Sequence, residues 1–211
     1  MSWSFDDKVA LITGAGAGAG LATAHAFAAA GAAVILAALD EAAIRAAADA
    51  LVGAGHTAVA IGCDIADDTQ AAALVDQAIA RFGHLDAAFN NAAGVRGVAT
   101  CMTHELRPML RQRGGAIVNC VRMDGAIAAR RGVIELTKIA AQDYAAKGIR
   151  VSALCPGGFS GGAPEEVARA ALWLCSPWAR HVMGIPSPWT TALRRAEAIS
   201  EARALAHQPW G

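Results

Sequence analysis

The chain has 211 residues, with eighteen basic and eighteen acidic side chains and so a formal charge of zero. That length suits one domain with a real core, and that charge offers no general attraction to nucleic acid or an anionic membrane. Five cysteines, Cys63, Cys101, Cys120, Cys155 and Cys175, are odd in number and never in a Cys-x-x-Cys spacing, which points to buried thiols in a reducing compartment and to no metal.

Met1 to Asp7 is acidic and has no basic region before an apolar one, so no secretory signal is expected and the cytoplasm is the default location. An apolar run, Val9 to Ile12, then reads as a strand. It is followed by Thr13-Gly14-Ala15-Gly16-Ala17-Gly18-Ala19-Gly20, an Ala-rich helix from Leu21 to Ala30, and a second apolar run from Ala32 to Leu39. No Asp, Glu, Lys or Arg occurs from Val9 to Leu39. The stretch is nevertheless broken by alternating glycines and contains His25, so a buried strand, helix and strand explain it better than a membrane span. A glycine turn between a strand and a helix is the context in which such a pattern binds phosphate: glycines let backbone N–H groups approach a pyrophosphate, and its charge favours the helix N-terminus.

Strand and helix keep alternating. Asp40 is the expected N-cap of a helix reaching about Val52, ended by Gly53 and Gly55. Thr57 to Ile61 reads as a strand, Asp67 to Phe82 as a helix stopped by Gly83, and Leu85 to Asn90 as a strand. Then come a helix near Met102 to Gln112, a strand at Ala116 to Val121, a helix at about Gly132 to Lys147, and a strand at Ile149 to Leu154. A further helix follows Pro164-Glu165-Glu166. This order predicts an α/β protein with a doubly wound parallel sheet, a three-layer Rossmann fold. Residues 1–185 are expected to form one dinucleotide-binding domain and 186–211 an atypical tail.

Ligands of such folds bind beyond the carboxyl ends of the strands. Gly14 to Gly20, Asp64, Asn90-Asn91, Arg122 and Pro156-Gly157-Gly158 all fall there. Each has a local explanation as a cap or turn; together they favour a cofactor crevice. Arginines gather at 107, 111, 113, 122, 130 and 131, but without aromatics for base stacking they read as a solvated face or subunit contact, and no nucleic-acid or membrane partner is expected.

These segments resemble the short-chain dehydrogenase/reductase family across most of residues 5–185. The resemblance rests on the Thr-Gly-x-x-x-Gly-x-Gly turn at 13–20, Cys63-Asp64-Ile65, Leu85-Asp86 leading to Asn90-Asn91-Ala92-Ala93-Gly94, Gly115 to Asn119, Gly148 to Val151, and Cys155-Pro156-Gly157-Gly158. It implies NAD or NADP as cofactor, without deciding between them, and hydride transfer to or from a small alcohol or carbonyl substrate. By resemblance Gly14, Gly16, Ala17, Gly18 and Gly20 form the phosphate turn, Asp64 and Ile65 meet the adenine, Asn90 and Ala92 the ribose side, and Pro156 and Gly157 the nicotinamide. A homo-oligomer, dimer or tetramer, is implied too.

The family's catalyst is a tyrosine with a lysine four residues later and a hydrogen-bonding serine, a tuned phenol acting as general acid and base. None of the three can be placed. Cys120-Val121-Arg122 stands where the serine would follow Asn119, and Ile127 to Ile134 contains neither Tyr nor Lys. The single tyrosine, Tyr144, has Lys147 three residues on and sits at the far end of its helix. The long helix after the Asn-Asn-Ala segment and the lid after Pro-Gly-Gly are short or missing. The second strand ends Ala37-Ala38-Leu39 rather than in an acid for the ribose hydroxyl. Pro186 and Pro188 would not fit a central strand. If the codons for Pro186 to Thr191 end in G, reading them two nucleotides on gives Val-Ala-Val-Asp-Asp-Gly, close to the apolar strand and Asp-Gly-Gly turn with which family members tend to end. A frame-shifted tail is one reading, and resequencing the gene tests it.

Three functions stay open at this point. One is an oxidoreductase using a substitute such as Arg122 or Arg130, although an arginine is a poor proton donor. Another is a dinucleotide-binding protein without catalysis, or a degenerate family member. The third, a serine hydrolase, rests on Gly158-Phe159-Ser160-Gly161-Gly162 with His181 and His207 downstream.

Overall fold

The six apolar runs, with the short segment 186–188 of the expected tail, become seven strands of one sheet in a computed structural model that describes residues 3–91, 94–121, 126–156, 163–182 and 186–188. In chain order these are β1 (Val9–Thr13), α1 (Gly18–Ala29), β2 (Ala33–Ala38), α2 (Glu41–Gly53), β3 (Ala58–Gly62), α3 (Asp68–Phe82) and β4 (Ala87–Asn90). Then come α4 (Val95–Gln112), β5 (Gly115–Cys120), α5 (Ile127–Ala145), β6 (Ile149–Cys155), α6 (Pro164–Cys175) and β7 (Pro186–Pro188). The strand order is β3-β2-β1-β4-β5-β6-β7, and every pairing is parallel. The order reverses between β1 and β4, and at such a switch point the two neighbouring loops diverge and leave a crevice.

Strand alternation sorts side chains onto two covered faces. Ala10 and Ile12 of β1 join Phe27, Ile44, Leu51 and Trp173 on the face covered by α1, α2 and α6. Val9 and Leu11 face Leu74, Val98, Met109 and Ala140 under α3, α4 and α5. Phe27 is fully buried and meets Phe5 edge-on, with ring centroids 5.0 Å apart. Each such buried side chain contributes roughly 1.5–3 kcal/mol.

Two helices begin earlier than the sequence pattern predicts. α4 starts at Val95 rather than Met102, and α5 at Ile127 rather than Gly132. One contact accounts for both: a Cβ on Gly132 would lie 2.5 Å from Val95 Cγ2, so the glycine inside α5 lets the first turn of α4 pack against it. Read along the sequence, Gly132 marks the start of a helix, but it lies inside one and is a place of close helix approach. The prolines at 186 and 188 are accommodated because β7 is three residues long and lies at the sheet's edge, paired only with β6. The stretch from Val9 to Leu39 is β1, α1 and β2, and among the described residues no helix is long and apolar enough to cross a membrane.

Candidate functional site

β1 ends at Thr13, and the chain turns at Gly14, whose φ of +62° suits glycine. A Cβ there would also lie 2.6 Å from the carbonyl oxygen of Asn91, at the tip of β4. A Cβ on Gly20 would run into the carbonyl oxygen of Gly14, so α1 packs directly on the turn. The Ala15 N–H donates to the Ala37 carbonyl at 3.2 Å, tying the turn to the end of β2. Gly16, Ala17 and Gly18 lead into α1, whose N-cap, Ala17, has no side-chain hydrogen bond to offer. The next two helices differ: Asp40 accepts from Ala43 N at 3.0 Å and Asp67 from Gln70 N at 2.9 Å. A helix start leaves backbone donors that a cap normally takes. At α1, as at α4 and α5, no side chain takes them; here they lie beside the close glycine turn, an arrangement whose chemistry suits a pyrophosphate.

The other expected site residues that the structure describes line the same edge. The Asp64 carboxylate accepts from Ala66 N at 2.9 Å, while its own N–H donates to Gln70 Oε1 at 2.9 Å. Asp64 therefore shapes the loop after β3, and Ile65 packs against the core beside it. Thr13 Oγ1 accepts from Asn91 N at 3.1 Å, lacing β1 to β4 at the switch point. Pro156 is buried just past β6. Asp40 is occupied as the cap of α2, and Leu39 is exposed at the tip of β2. Ala92, Arg122, Gly157, Ser160 and the tail from 189, with His207, lie outside the described residues.

Asn90 differs from the role expected of it in one respect. The residue is fully buried, and its side chain turns to Glu105 and Asn119 rather than to an open crevice. There it belongs to a polar layer between β4, β5, α4 and α5. Its Nδ2 donates to Asn119 Oδ1 at 3.1 Å and to Glu105 Oε2 at 2.9 Å. Asn119 Nδ2 in turn donates to Thr137 Oγ1 at 2.9 Å and contacts Met102 Sδ at 3.0 Å. Burial pushes the Glu105 carboxyl up to about 7, against some lowering by Asn90. Glu105 was not singled out from the sequence, yet the signal is there. It occupies the apolar stripe Val98, Met102, Glu105, Met109, at helical spacing.

The helix after β5 carries no titratable hydroxyl at its start. Arg130, in the first turns of α5, is near enough to Cys155 at the end of β6 for its charge to oppose the rise that burial gives the thiol. Tyr144 sits in the last turn of α5, with Lys147 Nζ 4.5 Å from its ring centre. In a parallel sheet the helix end that precedes a strand lies at the amino edge, so Tyr144 is at the edge opposite the glycine turn. His104, buried on α4, bonds Asp68 Oδ1 at 2.9 Å on the start of α3. No disulfide joins the five cysteines; four are buried and Cys155 is half-buried.

A family profile described as short chain dehydrogenase matches residues 8–97 and 94–170. The chain belongs to the short-chain dehydrogenase/reductase family. Members are NAD(P)-dependent oxidoreductases acting on alcohols or carbonyls, and the chain is one by type. The cis-4-hydroxycyclohexanecarboxylate dehydrogenase of Sinomonas cyclohexanicum is 36% identical to this short-chain dehydrogenase over 238 aligned positions, covering 87% of this chain and 95% of that one. The cyclohexanol dehydrogenase of Acinetobacter sp. is 32% identical, covering 87% and 94%. Among solved structures, a hydroxysteroid dehydrogenase from Escherichia coli superposes with a TM-score of 0.81 at 28% identity, covering 87% of this chain and 94% of that one. An alignment of 238 positions exceeds the 211 residues here, so this short-chain dehydrogenase lacks internal segments that its relative has. The profile match breaks and restarts at residues 94–97, where α4 begins.

Proposed function

We propose that this chain keeps the cofactor-holding half of a short-chain dehydrogenase and has lost the residues that move the substrate proton. The observation carrying the first part is the glycine turn packed under an α1 N-terminus that no side chain caps. Gly14, Gly16, Ala17, Gly18 and Gly20 would hold the phosphates, Asp64 and Ile65 the adenine end, Asn90 and Ala92 the ribose side, and Pro156 with Gly157 the nicotinamide. A bound NAD or NADP would supply the hydride acceptor or donor. Nothing among the described residues favours NAD over NADP, because Asp40, the nearest acid to the β2 tip, is engaged as a helix cap.

The second part is supported by the start of α5, where Ile127 to Gly132 holds two arginines and no phenol, and by Tyr144 at the opposite edge. An arginine can hold an alkoxide's charge but cannot give up a proton near neutral pH. Positioned acid–base catalysis contributes about 10²–10⁴-fold. The names of the Sinomonas and Acinetobacter relatives suggest a ring alcohol or ketone as substrate. The test is turnover of cyclohexanol with NAD and with NADP. The expected rate is about 10²–10⁴-fold below the usual 1–10³ per second. A rate within that usual range would overturn the proposed loss.

A further inference from the structure

The directions of the hydrogen bonds in the buried layer are fixed by one hydroxyl. Thr137 donates its O–H to the Val133 carbonyl at 2.7 Å, so towards Asn119 it can only accept. That orients Asn119 Nδ2 at Thr137 and turns Asn119 Oδ1 to Asn90, which must answer with Nδ2. Asn90 Nδ2 uses its second hydrogen on Glu105 Oε2 at 2.9 Å. Two fully buried oxygens are then left over, Asn90 Oδ1 and Glu105 Oε1, and neither has a hydrogen-bond partner among the described residues. A carboxylate has nothing to give Asn90 Oδ1, whereas a carboxylic acid has one O–H. We propose that Glu105 is a positioning residue for the cofactor edge: in its neutral form its Oε1–H donates to Asn90 Oδ1, closing a two-bond ring that fixes the tip of β4 against the glycine turn.

The functional consequence rests on the reading that a dinucleotide binds at that turn. Asn90 adjoins Asn91, whose N–H bonds Thr13 and whose carbonyl lies where a Cβ of Gly14 would go. Ionising Glu105 sets a buried charge and two facing oxygens beneath this contact, which costs free energy and loosens the strand tip. No charged group drives the change. Glu105 responds to burial and to Asn90, while Cys101, one turn back, and Cys63 near it are held protonated by burial. His104, the neighbour on α4, is turned to Asp68 of α3. Thr137 and Asn119, facing from α5 and β5, do not titrate.

The sign follows from proton linkage. The folded chain holds the Glu105 proton up to about 7, against an ordinary value of 4.5, so this stability is full below 4.5 and is lost as pH rises to about 7. The experiment is thermal unfolding of the full chain from pH 4.5 to 8.5 for wild type, Glu105→Gln and Glu105→Ala, with NADH titration at both ends of the range. Glutamine keeps both ring bonds without titrating. Across that window wild type is expected to lose roughly two decades of unfolding equilibrium constant relative to Glu105→Gln, and its NADH affinity is expected to fall where that of Glu105→Gln does not. Glu105→Ala should be destabilised at every pH. An infrared carbonyl band of a protonated carboxyl should be present in wild type at pH 6, gone at pH 8.5, and missing from Glu105→Gln. A parallel pH course for wild type and Glu105→Gln, or no such band at pH 6, would overturn the proposal. Failure to bind NADH at any pH would sink the dinucleotide reading and the positioning role resting on it, while the band and the unfolding curves still decide whether the acid is neutral.

Discussion

β1-α1-β2 and β5-α5-β6 are the same unit of parallel strand, helix and strand, set on opposite faces of one sheet. In the first, the turn between strand and helix is made of glycines, the helix start is open, and no charged residue occurs from Val9 to Leu39. In the second, the helix opens on Ile127-Ala128-Ala129-Arg130-Arg131 and the only tyrosine stands at its other end. Both units are closed by buried side chains: Ile117, Val133 and Val151 are buried in the second as Ile12, Phe27 and Leu36 are in the first. The residues that hold a cofactor and those that move a proton are separable, because neither set is what closes the core.

The comparison breaks most readily at Gly20. Gly20→Val would force a side chain into the Gly14 carbonyl, and we expect dinucleotide binding to vanish with a stability loss of about 2–4 kcal/mol by thermal melts. Retained binding would mean that the turn is not the site. Asp40→Ala sharpens the same half: loss of the α2 cap should cost about 1 kcal/mol, with NADH affinity unchanged by titration. A large fall in affinity would instead make Asp40 a ribose ligand. The smallest effect belongs to the second unit. Tyr144→Phe should change stability by no more than about 0.5 kcal/mol and leave any residual turnover untouched; loss of turnover would reinstate Tyr144 as the acid.

The sheet was legible because its strands are short β-branched and Ala-rich runs between glycine or Asx stops, as Asp40, Asp67 and Gly83 turned out to be. Local signals of that kind need no tertiary knowledge. What misled was glycine used for packing: Gly132 read as the start of its helix, but Val95 against Gly132 is a contact between two helices that neither segment shows by itself. Glu105 escaped notice for a related reason. A single acid in an apolar stripe is conspicuous only when the buried amide opposite, Asn90, is known to face it. The described candidate cofactor residues fell on one edge because topology sends every strand's carboxyl end there.

The central claim is a working dinucleotide cradle in a chain without its proton-transfer set. It is met most directly by following nicotinamide fluorescence while wild type and Gly20→Val are titrated in parallel with NADH and NADPH. Saturable binding by wild type, absent from a Gly20→Val protein that still melts cooperatively, is the result the account predicts. No saturation by wild type up to millimolar cofactor, or equal binding by both proteins, would contradict it.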